Sequence, residues 1–306
     1  MRGHERLPAV YEAFEERFAD VGGDRQVERV FDDGRWLEGP AFHPAHRIVL
    51  FSDIPNDRVL RYDERARRVD VFADGAGYPN GRTVDAEGRF VWCEHAGRRV
   101  ARLEHDGSTR VLADSYGGSP LNSPNDVTVH PDGAVWFTDP TYGIVSDYEG
   151  RAGESQQPVR GVYRIDPKSG EASLALSQLE QPNGIAFAVD GRTVYVTDSG
   201  SSSIWRADVR SDGTLGAATR IAEAEAGCDG IRVDVRGRLW VAASDGVRCH
   251  APDDGALLGR IALPEAVANL EFGGERRNVL YITATTSLYV LRTTVRGAAA
   301  SRQALS

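Results

Sequence analysis

Six short apolar segments recur along the chain in the same setting, and this repetition constrains the fold more than any other feature. They are IVLFSD (48–53), FVWCEH (90–95), AVWFTD (134–139), TVYVTD (193–198), RLWVAA (238–243) and VLYITA (279–284). Each follows a turn signal: HPAHR, DAEGR, HPDGA, AVDGR, DVRGR or GGERRN. Asp-Gly and Glu-Gly between apolar runs favour tight hairpins. One strand upstream stand EGPAFH, NGRTVD, NDVTVH, NGIAFA, DGIRVD and NLEFGG, opening on Glu38, Asn80, Asn125, Asn183, Asp229 and Asn269. Every opener is an acid or an amide, and successive openers lie 42, 45, 58, 46 and 40 residues apart. A third strand follows in each unit, for example DRVLRYD and GVYRID, and a fourth in most, for example VDVFAD and TRVLAD. Periods near 40–50 residues with four short strands each belong to β-propellers. The expected fold is all-β, a six-bladed β-propeller of four-stranded blades. A β-sandwich is the alternative, but six units in phase are hard to obtain from one.

The sixth unit has no evident fourth strand of its own. QVERVF (26–31), upstream of the first unit, supplies one, which joins the two ends of the chain and removes exposed sheet edges. LPAVYEAFEERFA (7–19) has helix-like apolar spacing and predicts a short N-terminal amphipathic helix. The expected organisation is a helical extension over 1–25, a propeller carrying the catalytic site over 26–295, and a tail over 296–306.

Composition narrows the partners. The net charge is -9 and basic residues form no long run, which argues against nucleic acid and anionic membranes. The start, MRGHERLPAV, lacks the apolar core of a signal peptide, and no stretch has the ~18 apolar residues of a membrane helix. Three widely spaced cysteines, Cys93, Cys228 and Cys249, make neither a disulfide framework nor a zinc-binding CxxC pair. A cytoplasmic location is expected, and the oligomeric state is open.

In a four-stranded blade the first strand lines the channel, so the six openers converge on one mouth. Asn and Asp before Gly are also favoured turn residues, which is the simpler reading of any one of them. As a ring, however, they would be costly to desolvate without a partner. An all-oxygen set of mixed charge suits a hard cation, Ca2+ first, with Mg2+ or Mn2+ as alternatives. The ends of the second strands reach the same face: Asp53, Glu94 with His95, Asp139 with Tyr142, Asp198, Asp245 and Thr285. The 58-residue spacing carries 13 residues more than the 45 before it, in TYGIVSDYEGRAGESQQPVRG (141–161). This is either a lid, with Tyr142 and Tyr148 over a substrate, or a surface insertion. His95 is either a rim residue or a second base. Asn80 is read as a substrate contact and Asn269 as an orienting group, with turn roles open for both. GxSxG is absent, which speaks against a serine nucleophile.

Four segments carry a family likeness: WLEGPAFHP (36–44), LNSPNDVTVHPDGAVWFTDPTYG (121–143), QPNGIAF (181–187) and CDGIRVD (228–234). Over roughly residues 27–292 the chain resembles the gluconolactonase, or senescence-marker-protein and regucalcin-like, propellers. SPND and WFTDPTYG point to the bacterial gluconolactonase branch. The resemblance implies metal ligands at Glu38, Asn183 and Asp229, with Asn125 as a ligand or a substrate contact. It implies Asp229 as catalytic acid/base. Asn80, His95, Tyr142 and Asn269 are read as substrate-side residues from their place on the site face alone. Ser123 stands where animal members carry a sugar-contacting arginine. The expected activity is metal-dependent hydrolysis of a gluconolactone-like sugar lactone to its hydroxy acid. The metal, Ca2+ before Mg2+, Mn2+ or Zn2+, polarises the carbonyl. Because a cation-bound carboxylate is a poor base, either Asp229 is loosely held or the metal acidifies the water. Competing readings are an esterase or organophosphate hydrolase on the same site, and a non-enzymatic, calcium-stabilised binding propeller.

Overall fold

The tight turns between first and second strands set the ladders of the fold. Five of them place a glycine in the left-handed region, Gly88, Gly133, Gly191, Gly237 and Gly274, at φ from 72° to 88°. In the computed structural model, which describes residues 4–298, these hairpins grow into six antiparallel blades. Their innermost strands are Leu37–His43, Pro79–Val84, Val127–Val129, Pro182–Phe187, Ile231–Val233 and Val267–Gly273. Consecutive inner strands touch around an unbroken ring, and the last touches the first. The expected six-bladed propeller is therefore present.

Apolar side chains of the inner and second strands fill the space between blades. Phe42 of blade 1 stacks on Tyr281 of blade 6 at 5.7 Å. Trp136 of blade 3 meets Phe187 of blade 4 edge-on at 5.6 Å, and Trp240 of blade 5 meets Phe272 of blade 6 at 5.9 Å. Such pairs add ~0.5–1.5 kcal/mol each beyond the area they bury.

The ring closes as the sequence implies. Gln26–Phe31 pairs with Leu288–Arg292 and becomes the fourth strand of blade 6. The N-terminal helix is not there. Glu5–Pro8 instead pairs with Gln26–Phe31 as a fifth strand of blade 6, and Val10–Ala13 pairs with Leu257–Ala262 as a fifth strand of blade 5. Two open sheet edges outcompete an isolated short helix, which is marginal in water. Ala9 separates the two strands, and within this segment only Glu16–Phe18 makes a helical turn, a 3-10 one that buries Phe18 against Trp240. The only α-helix among the described residues is Tyr142–Val145, in the long segment after the second strand of blade 3. No helix among the described residues is long and apolar enough to cross a membrane. Of the predicted tail, 299–306 lies outside the described residues. Gly297 bridges to Asp234, and Ala298 donates its N–H to the Val233 carbonyl.

Candidate active site

The inner strands leave their ladders where the openers stand. Pairing with the second strand shifts between Glu38 and Ala41, Pro79 and Arg82, Pro182 and Ile185, and Val267 and Asn269. A bulge of this kind re-aims a side chain, here near the channel mouth. At Gly39, φ is 52° and an added Cβ would meet the Asn80 carbonyl oxygen at 2.2 Å. Only glycine fits beside Glu38.

A hydroxyl of the preceding blade holds the backbone of three openers. Ser52 Oγ donates to the Asn80 carbonyl at 2.7 Å, Thr138 Oγ1 to that of Asn183 at 2.6 Å, and Thr197 Oγ1 to that of Asp229 at 2.5 Å. Each hydroxyl immediately precedes a second-strand aspartate. Those aspartates face the polypeptide, not the cavity. Asp139 accepts the N–H groups of Asn122 and Ser123, and Asp198 accepts those of Glu180 and Gln181. Asp53 accepts the Arg35 N–H and pairs with Arg58. The Ser/Thr-Asp pair is thus a brace for the mouth: one residue anchors the next blade's opener, and the other ties down the loop entering its own blade.

A cavity of about 290 Å3 opens there. Glu38, Asn80, Asn125, Asn183, Asp229 and Tyr142 line it, so six of the eight expected residues come together. The other two stand behind the wall. Asn269 donates from Nδ2 to Glu38 Oε2 at 2.9 Å, while its Oδ1 accepts the Leu270 N–H. His95 is fully buried behind Asn80, with Nε2 2.9 Å from Asn80 Nδ2. Tyr148 is exposed and is not among the lining residues.

Two contributors escaped the sequence reading. Glu149, on the long segment over the mouth, lines the cavity. It stands in a loop with no period, and only the tertiary fold brings it over the site. Asp126, beside Asn125, is fully buried and takes a 3.3 Å ion pair from Arg232, which also reaches Glu271 at 3.2 Å. The run NDV marks its position, but not that its charge reaches the openers.

The electrostatics are those of crowded, buried carboxylates. Burial, reinforced by the Asp126 charge, pushes the Glu38 carboxyl up to about 7. Burial and then the charges of Glu38, Glu149 and Asp126 push Asp229 well above the usual carboxylate range. Asn183 Nδ2 donates to Ser199 Oγ at 3.0 Å, and that hydroxyl donates to the Cys228 carbonyl at 2.6 Å. The Asn183 amide is thereby fixed with Oδ1 free, and this buried oxygen has no hydrogen-bond partner. The same holds for Asn80 Oδ1. Orphaned amide oxygens beside two carboxylates that resist ionising suit a divalent cation, which would satisfy both. No group of three His, Cys, Asp or Glu side chains arranged to hold a metal occurs among the described residues. Any cage here draws part of its donors from amides.

A six-bladed propeller with carboxylates and amides set among apolar residues in a pocket at its channel mouth is a fold that several activities share, and its relatives make this chain a lactonase. It belongs to the SMP-30/Gluconolactonase/LRE-like family, whose region matches residues 36–286. It is 31% identical to a gluconolactonase of Zymomonas mobilis over 300 residues, covering 89% of this chain and 82% of that one. It is 29% identical to the pentonolactonase XacC of Haloferax volcanii, covering 84% of each. A solved gluconolactonase of Xanthomonas campestris superposes with a TM-score of 0.88 at 34% identity, covering 96% of this chain and 99% of that one.

Proposed function

We propose that this protein hydrolyses a gluconolactone-like sugar lactone to its hydroxy acid and depends on one divalent cation, Ca2+ first, held by Glu38, Asn125, Asn183 and Asp229. The observation that carries the reading is the unpartnered, buried Asn183 Oδ1 beside two carboxylates whose charges burial opposes. The gluconolactonase and pentonolactonase relatives support the substrate class. When bound, the cation supplies Lewis-acid polarisation of the lactone carbonyl.

The chain's own groups do the rest. Asn269 holds Glu38, and Ser199 holds Asn183, so the donor oxygens need no rearrangement. Tyr142 and Glu149 bring the 141–161 segment to the mouth, where both line the cavity. Asp229 takes a proton from the attacking water as its oxygen bonds to the carbonyl carbon. It returns that proton to the ring oxygen as the ring C–O bond breaks. Both transfers require that Asp229 be loosely held by the cation, since a tightly bound carboxylate is a poor base.

The test strips the protein with chelator and reloads it with Ca2+, Mg2+, Mn2+ or Zn2+. Each form is assayed on aldonolactones, an aryl ester and a phosphotriester. Restored hydrolysis of aldonolactones above the other two is expected. Faster turnover of the aryl ester or phosphotriester would replace the reading, and no restoration by any metal would end it.

A further inference from the structure

We propose that His95 is a positioning residue: it holds the Asn80 side chain with its carbonyl oxygen toward the cavity, and it couples that orientation to the lid backbone at Glu149. A hydroxyl of the bound lactone then finds an acceptor at Asn80 Oδ1 while the lid is seated. The substrate part of this inference rests on the lactonase reading above.

The geometry leaves little choice of roles. His95 has no exposed surface. Its Nδ1 lies 2.8 Å from the Glu149 carbonyl oxygen, which can only accept, so Nδ1 carries the hydrogen. In the neutral ring Nε2 is then an acceptor, and the hydrogen bond at one nitrogen fixes the role of the other. At 2.9 Å it faces the Asn80 amide, which must present its NH2 end. The carbonyl end of Asn80 is left over, buried and without a partner, on a residue that lines the cavity. Reversing the amide would set two acceptors, Oδ1 and Nε2, against each other.

The lid and Asn80's backbone supply two more constraints. Gly143 of the Tyr142–Val145 helix packs so closely that an added Cβ would stand 2.6 Å from the His95 ring carbon Cγ. The ring is thus gripped by the lid at two points, Gly143 and the Glu149 carbonyl. The Asn80 backbone carbonyl is already taken by Ser52 Oγ, so its side-chain amide is the part free to turn. Asn269 shows the contrast: both ends of its amide are engaged, and it offers nothing to the cavity.

Three measurements test this. In the wild-type protein, 15N NMR of the His95 ring should report a neutral ring protonated at Nδ1. A ring protonated at Nε2 with a bare Nδ1 overturns the proposal. Second, His95→Phe, which keeps volume and loses both hydrogen bonds, should raise KM for a polyhydroxylated lactone about tenfold, the worth of one hydrogen bond. Its kcat should hold, and its KM for a lactone without hydroxyls should not move. His95→Gln, which restores a donor and an acceptor, should recover most of the loss, and adding Asn80→Leu to His95→Phe should cost nothing more. Equal damage to both lactones, or additive losses in the double variant, overturns the positioning role. Third, amide hydrogen exchange across 143–153 should quicken in His95→Phe, and unchanged exchange removes the coupling to the lid. Should the wild-type enzyme hydrolyse no lactone, the lactonase reading falls, and the NMR and exchange measurements still decide the relay.

Discussion

Glu38 and Asp229 stand at two corners of one small cavity, and each depends on a neighbour that never touches its contents. For Glu38 that neighbour is Asn269. Asn269→Leu is expected to weaken cation binding about 10–100-fold, the usual cost of losing a ligand's outer hydrogen bond. Titration calorimetry checks this, and an unchanged affinity would remove Glu38 from the cage. Asp229→Asn is expected to lower kcat by about 10²–10⁴, the range for a lost acid–base group. Steady-state kinetics on an aldonolactone checks it, and a retained rate excludes Asp229 as the proton carrier. At this scale the sequence was legible for five of the six openers: Glu38, Asn80, Asn125, Asn183 and Asp229 line the cavity, and Asn269 stands behind Glu38. It was illegible for Glu149, whose loop repeats nothing, and misleading for the second-strand aspartates. Asp139 and Asp198 reach the mouth but spend their oxygens on backbone N–H groups.

Among the elements, the hairpins followed their turn residues, and the N-terminal segment did not follow its apolar spacing. LPAVYEAFEERFA spaces its apolar residues as a helix would, yet the edges of blades 6 and 5 claim Glu5–Pro8 and Val10–Ala13 as strands. No pattern inside a segment reveals an unpaired edge waiting elsewhere in the fold. The N-terminal segment then turns inward at Phe18, which is fully buried beside Trp240. Phe18→Ala is expected to cost about 3–5 kcal/mol, the range for a large ring lost from a core. Urea unfolding checks it, and a cost near zero would mean that the N-terminal segment is only laid on the surface. The braces carry a prediction of their own. Thr197→Val leaves the Asp229 carbonyl without its 2.5 Å donor. It is expected to cost about 1–3 kcal/mol and to lower turnover, since Asp229 moves with its backbone. The same urea series, paired with kinetics, checks both.

Across the whole molecule, the buried carboxylates make stability depend on pH in a definite direction. Glu38 and Asp229 hold protons more tightly in the folded chain than in the unfolded one. Their contribution is complete below the unfolded carboxylate pKa of about 4. It is lost as pH rises through the folded value, about 7 for Glu38. Chelated protein is therefore expected to lose melting temperature between about pH 5 and about pH 8, and Ca2+ to raise it more at the higher pH, where no proton competes. Thermal melts with and without Ca2+ at both pH values check this, and an equal Ca2+ effect at both would separate the cation from these carboxylates.

The braces have a further consequence. Because hydroxyls of adjoining blades hold the backbones of Asn80, Asn183 and Asp229, the frame of the mouth is built by residues other than those that face the ligand. Those side chains can be exchanged while the frame stays in place. Such a mouth is an interchangeable fitting, and substrate range can drift by single steps without the fold being rebuilt at each one.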